Sequence, residues 1–549
     1  MAREQEEKTS ADDLERADPP SRRCDQIQPS NDTSTNTNTN THLDGDHDRR
    51  SHHHARYRVY KRRWIGLLQL VLLNIIVSWD WLTFSAVSTD AAAYFRVSEG
   101  AINWLSTAFL FAFVAACPIV IPTLHHGPKR GILAASALIL GGNWVRYAGA
   151  RATGGHFGAV MAGQVLVGLA QPFVLAAPTR YSDLWFSERG RISATAVASL
   201  ANPLGGALGQ LIGPIWATRP SEVPDMVLYT AIISTIATLP SLFIPSAPPT
   251  PPSATTSTTT STTTSTTTPP PPLLRTLLTL AHNPSFWLIL LPFGIYVGTF
   301  NATSTLLNQI LSPYAFTSSD AGIAGALLIF VGLGAAALSS PLLDRFHPKP
   351  YLLAIKTLCP LVAAMYVAFV FAPNTRDTAA PYAILAILGA ASFALVPVAL
   401  EFLVEVGWPL GPEVGSTACW AAGQLFGAVF IIIMNALKEP GGGSEDDGKG
   451  TGPGWSPPGS MWKALVFQAV VAVAVLPAPL LLGVRRLGLG LGHAGALGRM
   501  RAEEGGVGEE GADARADAAH AAAARGDRAG EMAVDVGEMR AWIARMHGE

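Results

Sequence analysis

Residues 64–88 read WIGLLQLVLLNIIVSWDWLTFSAVS, from Trp64 to Ser88. The only charge in the run is Asp80, and its other polar residues stand singly among aliphatic and aromatic neighbours. A helix needs about 20 apolar residues to cross the hydrocarbon core of a bilayer. This run is long enough, and it lacks the two-residue alternation of a membrane barrel strand. It therefore predicts a transmembrane helix.

Runs of the same kind recur along the chain. Five more follow at 102–122, 131–149, 157–177, 192–216 and 226–245. A second set of six falls at 284–308, 318–342, 351–372, 380–403, 412–437 and 461–484. Residues 246–275 separate the sets with a Pro- and Thr-rich tract whose only charge is Arg275. Such a tract has no helical periodicity and reads as a linker. Six spans, a long loop and six more spans describe a duplicated bundle. The expected fold is an all-α membrane protein with twelve transmembrane helices in two six-helix bundles. The first would occupy 56–245 and the second 276–484.

Composition agrees. Of 549 residues, 49% are hydrophobic and 14% charged, where a soluble protein carries about a quarter charged. The net charge of −2 offers no basic surface to nucleic acid, so no nucleic-acid partner is expected. Four cysteines, three of them inside apolar runs, make neither a disulfide framework nor a metal site. No cofactor motif is present and no metal is expected. Residues 1–55 are polar, with almost no aliphatics, and predict a disordered tail. The first span would then act as the targeting signal. His52, His53 and His54 in that tail read as a solvated polar run. Residues 485–549 form a charged, Ala- and Gly-rich tail. Within 531–547, Met532, Val536, Met539, Ile543 and Met546 share one helical face, suited to a membrane surface or a regulator.

Charge asymmetry sets the orientation. Arg56, Arg58, Lys61, Arg62 and Arg63 precede the first span. The same side receives Lys129, Arg130, Arg180, Arg189, Arg191, Arg275, Arg345, Lys349, Arg485 and Arg486. The opposite loops hold isolated basic residues. Lys and Arg are retained in the cytosol, so both termini are expected there. Lys129 and Arg130 sit in a short turn after span two, and Asp344 and Arg345 in an equivalent turn after span eight. The two turns resemble the conserved loop motif of the major facilitator superfamily, and that resemblance implies that they pin neighbouring helices. Glu401 and Glu405, one turn apart near the cytoplasmic end of span ten, would cap or pair with loop cations. In span five, Ala201, Gly205, Gly209 and Gly213 recur every four residues, a strip that lets two helices approach closely in lipid. Arg146, near the end of span three, would snorkel to the interface.

Polar groups deep in a span need a reason. Asp80 and Trp81 lie in span one, Gln171 in span four, Asn301 in span seven and Gln424 in span eleven. They come from both halves and from matching depths, which suits a shared cavity. An aromatic face with amide oxygens suits a cation, a quaternary ammonium above all. Asp80 would add a countercharge, or a proton site if transport is coupled to protons. The alternative at each position is a hydrogen bond that staples two helices together.

Several short motifs run in order through both halves. Trp104-Leu105-Ser106 opens span two. Gly163-Gln164, Ala170-Gln171, Pro178-Thr179-Arg180 and Trp185-Phe186 follow. Then come Ser304-Thr305-Leu306-Leu307-Asn308-Gln309, Glu401-Phe402-Leu403-Val404-Glu405 and Gly423-Gln424-Leu425-Phe426-Gly427. Over residues 60–484 this series resembles the feline leukemia virus subgroup C receptor-related (FLVCR) family of major facilitator transporters. The resemblance implies the major facilitator fold, transport by alternating access, and no enzyme activity. It implies a small-molecule substrate: choline or ethanolamine, heme, or a B6 vitamer. It also implies a choline site of a Trp in span one and Gln residues in spans four and eleven, matched here by Trp81, Gln171 and Gln424. The family tends to carry Tyr in span seven, where this chain has Phe293 and Asn301. It usually has an amide where this chain has Asp80. The other partners expected are the lipid bilayer and a coupling proton or cation, for a monomer in the plasma membrane or a vacuolar or lysosomal membrane. A receptor or sensor that keeps the transporter fold without moving substrate is the alternative.

Overall fold

The computed structural model describes residues 60–125, 127–186, 188–250, 281–344, 351–407, 412–440 and 457–482. Both expected tails, most of the linker, the helix expected at 531–547 and Arg345 lie outside the described residues. So do the side chains of Asp344, Glu401 and Glu405.

In the first half the helices are α1 (Arg63–Leu82), α2 (Ser88–Phe95), α3 (Glu99–His125), α4 (Pro128–Arg151), α5 (Phe157–Trp185), α6 (Glu188–Trp216) and α7 (Val223–Thr238). The second half holds α8 (Pro284–Leu311), α9 (Ser318–Asp344), α10 (Tyr351–Phe371), α11 (Ala379–Gly407), α12 (Pro412–Ala436), α13 (Trp462–Ala474) and α14 (Pro477–Leu481). Among the described residues, ten helical segments are long and apolar enough to cross a membrane. The other two long helices, α4 and α6, stand where spans three and five were expected. Arg146 and Asn143 make α4 more polar, and Gln210 with a run of glycines does the same for α6. Both pack inside the bundle, α4 on α5 and α7, α6 on α1 and α9. Ile119, Ile215, Ile236, Leu353, Phe371 and Val470 are more than half exposed. Large apolar side chains bared along so many helices suit contact with lipid.

Three spans end or break early, and the fourth runs eight residues past its expected end, to Trp185. The first span stops at Leu82, six residues early, and the chain turns into the short helix α2. The carbonyl of Ala86 in that turn is met by Asn308 Nδ2 at 3.0 Å. The sixth span ends as a 3-10 turn, Leu239–Phe243, around Pro240. The twelfth breaks between α13 and α14, just before Pro477. Proline lacks the N–H that an α-helix needs, so it ends or tightens the turn.

The packing repeats between the halves. In the first, α1 packs on α6, α3 on α5, α4 on α5, and α4 on α7. In the second, α8 packs on α12, α9 on α11, α10 on α11, and α10 on α13. Each pair maps onto its counterpart when the six spans of one half are laid on the other. The halves meet through α6 with α9 and through α3 with α12, which are themselves a matched pair. Glycine sets both intrahalf contacts of the central helices. A Cβ on Gly205 would lie 1.9 Å from the Ile75 carbonyl oxygen, and one on Gly209 would lie 3.0 Å from that of Trp79. Likewise a Cβ on Gly298 would lie 2.7 Å from Phe426 Cβ. Lys129 and Arg130 open α4 beyond Gly127, whose φ of +118° is open to glycine and strained for other residues. Arg130 is exposed and Lys129 half-buried.

Candidate functional site

Polar contacts join the halves at the end of the bundle where α1 stops, here termed the distal end. Asn103 on α3 donates from Nδ2 to Gln309 Oε1 at 3.2 Å and to Asn435 Oδ1 at 2.9 Å. Gln309 Nε2 donates back to Asn103 Oδ1 at 2.7 Å. Asn308 Oδ1 accepts from Thr89 at 3.2 Å and from Ser88 at 3.4 Å. Glu99 forms an ion pair with Lys438. Gln210 Nε2 on α6 donates to the Ser304 carbonyl at 2.5 Å.

These contacts fix a depth register. Helices α1 and α8 run in the same direction, and Ala86 is level with Asn308. In the last turn of α1 the Trp81 carbonyl accepts from Ser106 Oγ at 3.5 Å, which brings Trp81 near the depth of Thr303. Helix α3 runs the other way from Asn103, which is level with Gln309, so Phe109 reaches the depth of Thr303 too. The Trp81 and Phe109 rings accordingly stack, 6.3 Å apart and 17° from parallel. A Cβ on Gly168 of α5 would lie 2.7 Å from the Phe109 carbonyl oxygen. Gln171 is one turn deeper on that face. On the other side, a Cβ on Gly427 of α12 would lie 2.9 Å from Asn301 Cβ and 3.3 Å from Leu110 of α3. Gln424 is one turn deeper there, and its Oε1 accepts from Asn301 Nδ2 at 3.0 Å. Gln171 and Gln424 thus stand about 4.5 Å below their glycines, one in each half.

All four side chains, Trp81, Gln171, Asn301 and Gln424, are less than a tenth exposed. Trp81 Nε1 and Gln171 Oε1 nevertheless have no hydrogen-bond partner among the described residues. Buried polar atoms are almost always paired, and an orphan costs about 1–3 kcal/mol. One donor and one acceptor left open at adjoining depths are what a bound polar solute would satisfy.

Asp80 is not brought to these four. Its carboxylate lies 3.0 Å from Arg146 Nη1, both side chains fully buried. Asn143 Nδ2 donates to it at 2.6 Å, and Gln164 Nε2 donates to its backbone carbonyl at 3.2 Å. Arg146 also lies over the Phe84 ring, 5.0 Å from its centre. Arg146 therefore does not snorkel, because the only acid in the middle of a described span neutralises it inside the first bundle. A lone acid in span one and a lone base in span three were the sequence signal for this pair.

Phe293 packs edge-on against Trp420 of α12. Tyr296, the tyrosine of α8, turns to α13 and donates to the Ala472 carbonyl at 3.2 Å. An apolar groove of about 290 Å³ between α9, α10 and α11, walled by Val331, Leu358, Leu361 and Ile387 among others, shares no residue with the site.

The sequence profile of the Major Facilitator Superfamily matches residues 70–430. The chain belongs to that superfamily. Solute carrier family 49 member A3 of Danio rerio is 33% identical over 396 residues, which cover 70% of this chain and 81% of that protein. The human protein named choline/ethanolamine transporter FLVCR2 is 26% identical over 417 residues, 72% of this chain and 74% of that one. Among solved structures, a bacterial homologue of the human lysosomal transporter Spinster, in an inward-facing and occupied conformation, superposes with a TM-score of 0.55 at 14% identity. The match covers 77% of this chain and 97% of that one. This superfamily member is a multi-pass membrane transporter resembling the FLVCR proteins, and it is not an enzyme.

Proposed function

We propose that this transporter moves a small organic cation of the choline or ethanolamine type by alternating access. The substrate is held between the halves by Trp81, Gln171, Asn301 and Gln424. The single observation that carries this reading is the pair of buried, unpartnered atoms Trp81 Nε1 and Gln171 Oε1. The names of the choline/ethanolamine relatives support the same ligand class. An indole face attracts a quaternary ammonium without requiring it to shed a hydrogen bond, and the amide oxygens supply further partial negative charge. Both termini lie in the cytosol by the distribution of Lys and Arg, which makes the distal end the outer one. The test is uptake of labelled choline into proteoliposomes. Trp81→Ala and Gln171→Ala are each expected to lower it at least tenfold at unchanged protein yield. Parental rates in both variants would remove the site. Specific binding of choline without flux would favour the sensor reading instead.

The charge arrangement also bears on coupling. With Asp80 held by Arg146, no free carboxylate stands in the middle of a described span to carry a proton. A carboxylate engaged in this way favours facilitative transport, driven by the gradient of the cation and by membrane potential, worth about 2.3 kcal/mol per charge per 100 mV. Choline entry into vesicles is expected to rise with an interior-negative potential and to ignore an imposed pH gradient. Uptake that follows the pH gradient at clamped potential would restore proton coupling.

A further inference from the structure

Thr305 stands on α8 one turn deeper than both Asn308 and Gln309. Those two amides cross to the first half, Asn308 to the segment after α1 and Gln309 to α3. Residues three and four apart share a helix face, so Thr305 faces the same gap between α1 and α3, directly beneath the distal contacts. It lies nearer the distal end than Thr303, the residue at the depth of Phe109 and Trp81. Ser304, its neighbour, is turned by about 100° toward α6, where its carbonyl meets Gln210.

The Thr305 side chain is fully buried, and its Oγ1 has no hydrogen-bond partner among the described residues. This is not the habit of threonines in the bundle. Thr83, Thr107, Thr230 and Thr303 each donate to the carbonyl four residues back, at 2.8 to 3.0 Å. A hydroxyl that forgoes that bond on the helix face toward the gap is a third open polar atom, besides Trp81 Nε1 and Gln171 Oε1; Ser304 Oγ, also buried and unpartnered, stands on the adjoining face.

We infer that Thr305 is a specificity-determining residue: its hydroxyl roofs the site and hydrogen-bonds the hydroxyl of an alkanolamine whose cationic head lies against Trp81. This inference rests on the reading given under Proposed function and names the residue that reads the hydroxyl that choline and ethanolamine share. A threonine Oγ both donates and accepts, so it takes a substrate hydroxyl in either sense. An ion of the same head without that hydroxyl leaves Thr305 Oγ1 buried and unpaired.

The probes are choline and ethyltrimethylammonium, the same ion without the hydroxyl, competing for labelled choline uptake by the full chain in proteoliposomes. The parent is expected to prefer choline about fivefold, the worth of one buried hydrogen bond. Thr305→Val keeps the shape and removes the hydroxyl. It is expected to bring the ratio to about one, while Thr305→Ser keeps the parental preference. A ratio unchanged in Thr305→Val, or lost equally in Thr305→Ser, overturns the inference and leaves the cation site standing. A parent that handles neither ion overturns the cation site itself.

Discussion

Asp80→Asn is expected to cost this transporter its fold before it alters transport. The substitution leaves the Arg146 guanidinium fully buried with its counterion gone. Breaking a buried pair from one side costs about 3–5 kcal/mol, because the remaining charge has no water to return to. Against a total stability of about 5–15 kcal/mol, that is a large fraction. The Asn143 amide that donates to Asp80 at 2.6 Å could still bond the new amide, but it offers no charge. Arg146→Gln is expected to do comparable harm by stranding the carboxylate. The double variant Asp80→Asn/Arg146→Gln removes both charges and is expected to recover most of the loss. The measurement is the yield of monodisperse protein and its thermal unfolding midpoint in detergent, for both single variants and the double. If Asp80→Asn melts like the parent while its apparent KM for choline rises, the pair is not structural and Asp80 returns to the substrate site.

The fold was legible because bilayer thickness imposes one length on every span. Runs such as 318–342 and 351–372 begin at the same residues as α9 and α10. Errors fell where a local backbone feature, invisible to hydropathy, ended a helix. Pro240 and Pro477 are examples, and so is the turn after Leu82, which is held by Asn308 from 222 residues away. The site was half legible. Rarity of polar groups in spans singled out Trp81, Gln171, Asn301 and Gln424, and the depth register brings them to adjoining layers. Rarity could not say which way a side chain faces. Asp80 and Trp81 are adjacent in sequence but about 100° apart around α1, and that angle separates an internal ion pair from a binding face. The pairing of Asn103 with Gln309 and Asn435 was hidden for another reason. These amides lie near span ends, where such residues are common and rarity singles none of them out.

Those three amides carry the second large expectation. Asn103 exchanges hydrogen bonds with Gln309 in both directions and donates to Asn435, and the Glu99–Lys438 ion pair stands one turn above. Gly100 lets α12 come close, since a Cβ there would lie 2.9 Å from Asn435 Nδ2. The network joins α3 of the first half to α8 and α12 of the second, so rocking the halves apart at the distal end must break it. Amides suit a contact that opens and closes, because each regains water for the bond it gives up and the net loss is about 1 kcal/mol per bond. Asn103→Ala deletes three such bonds in the closed state and none in the open state. The expected shift is about 3 kcal/mol, or roughly two orders of magnitude in the population open at the distal end. A cysteine placed at Ser106, which is 1% exposed and one turn beneath Asn103, reports it. Its labelling by a membrane-impermeant thiol reagent from the distal side is expected to quicken about a hundredfold in the Asn103→Ala background. The exchange Glu99→Lys/Lys438→Glu keeps the ion pair with reversed sign and is expected to leave labelling slow, whereas Lys438→Glu alone sets two carboxylates together and quickens it. Labelling of Ser106→Cys at one rate with and without the Asn103 side chain would mean that apolar packing of α3 on α12, and not these amides, keeps that end shut.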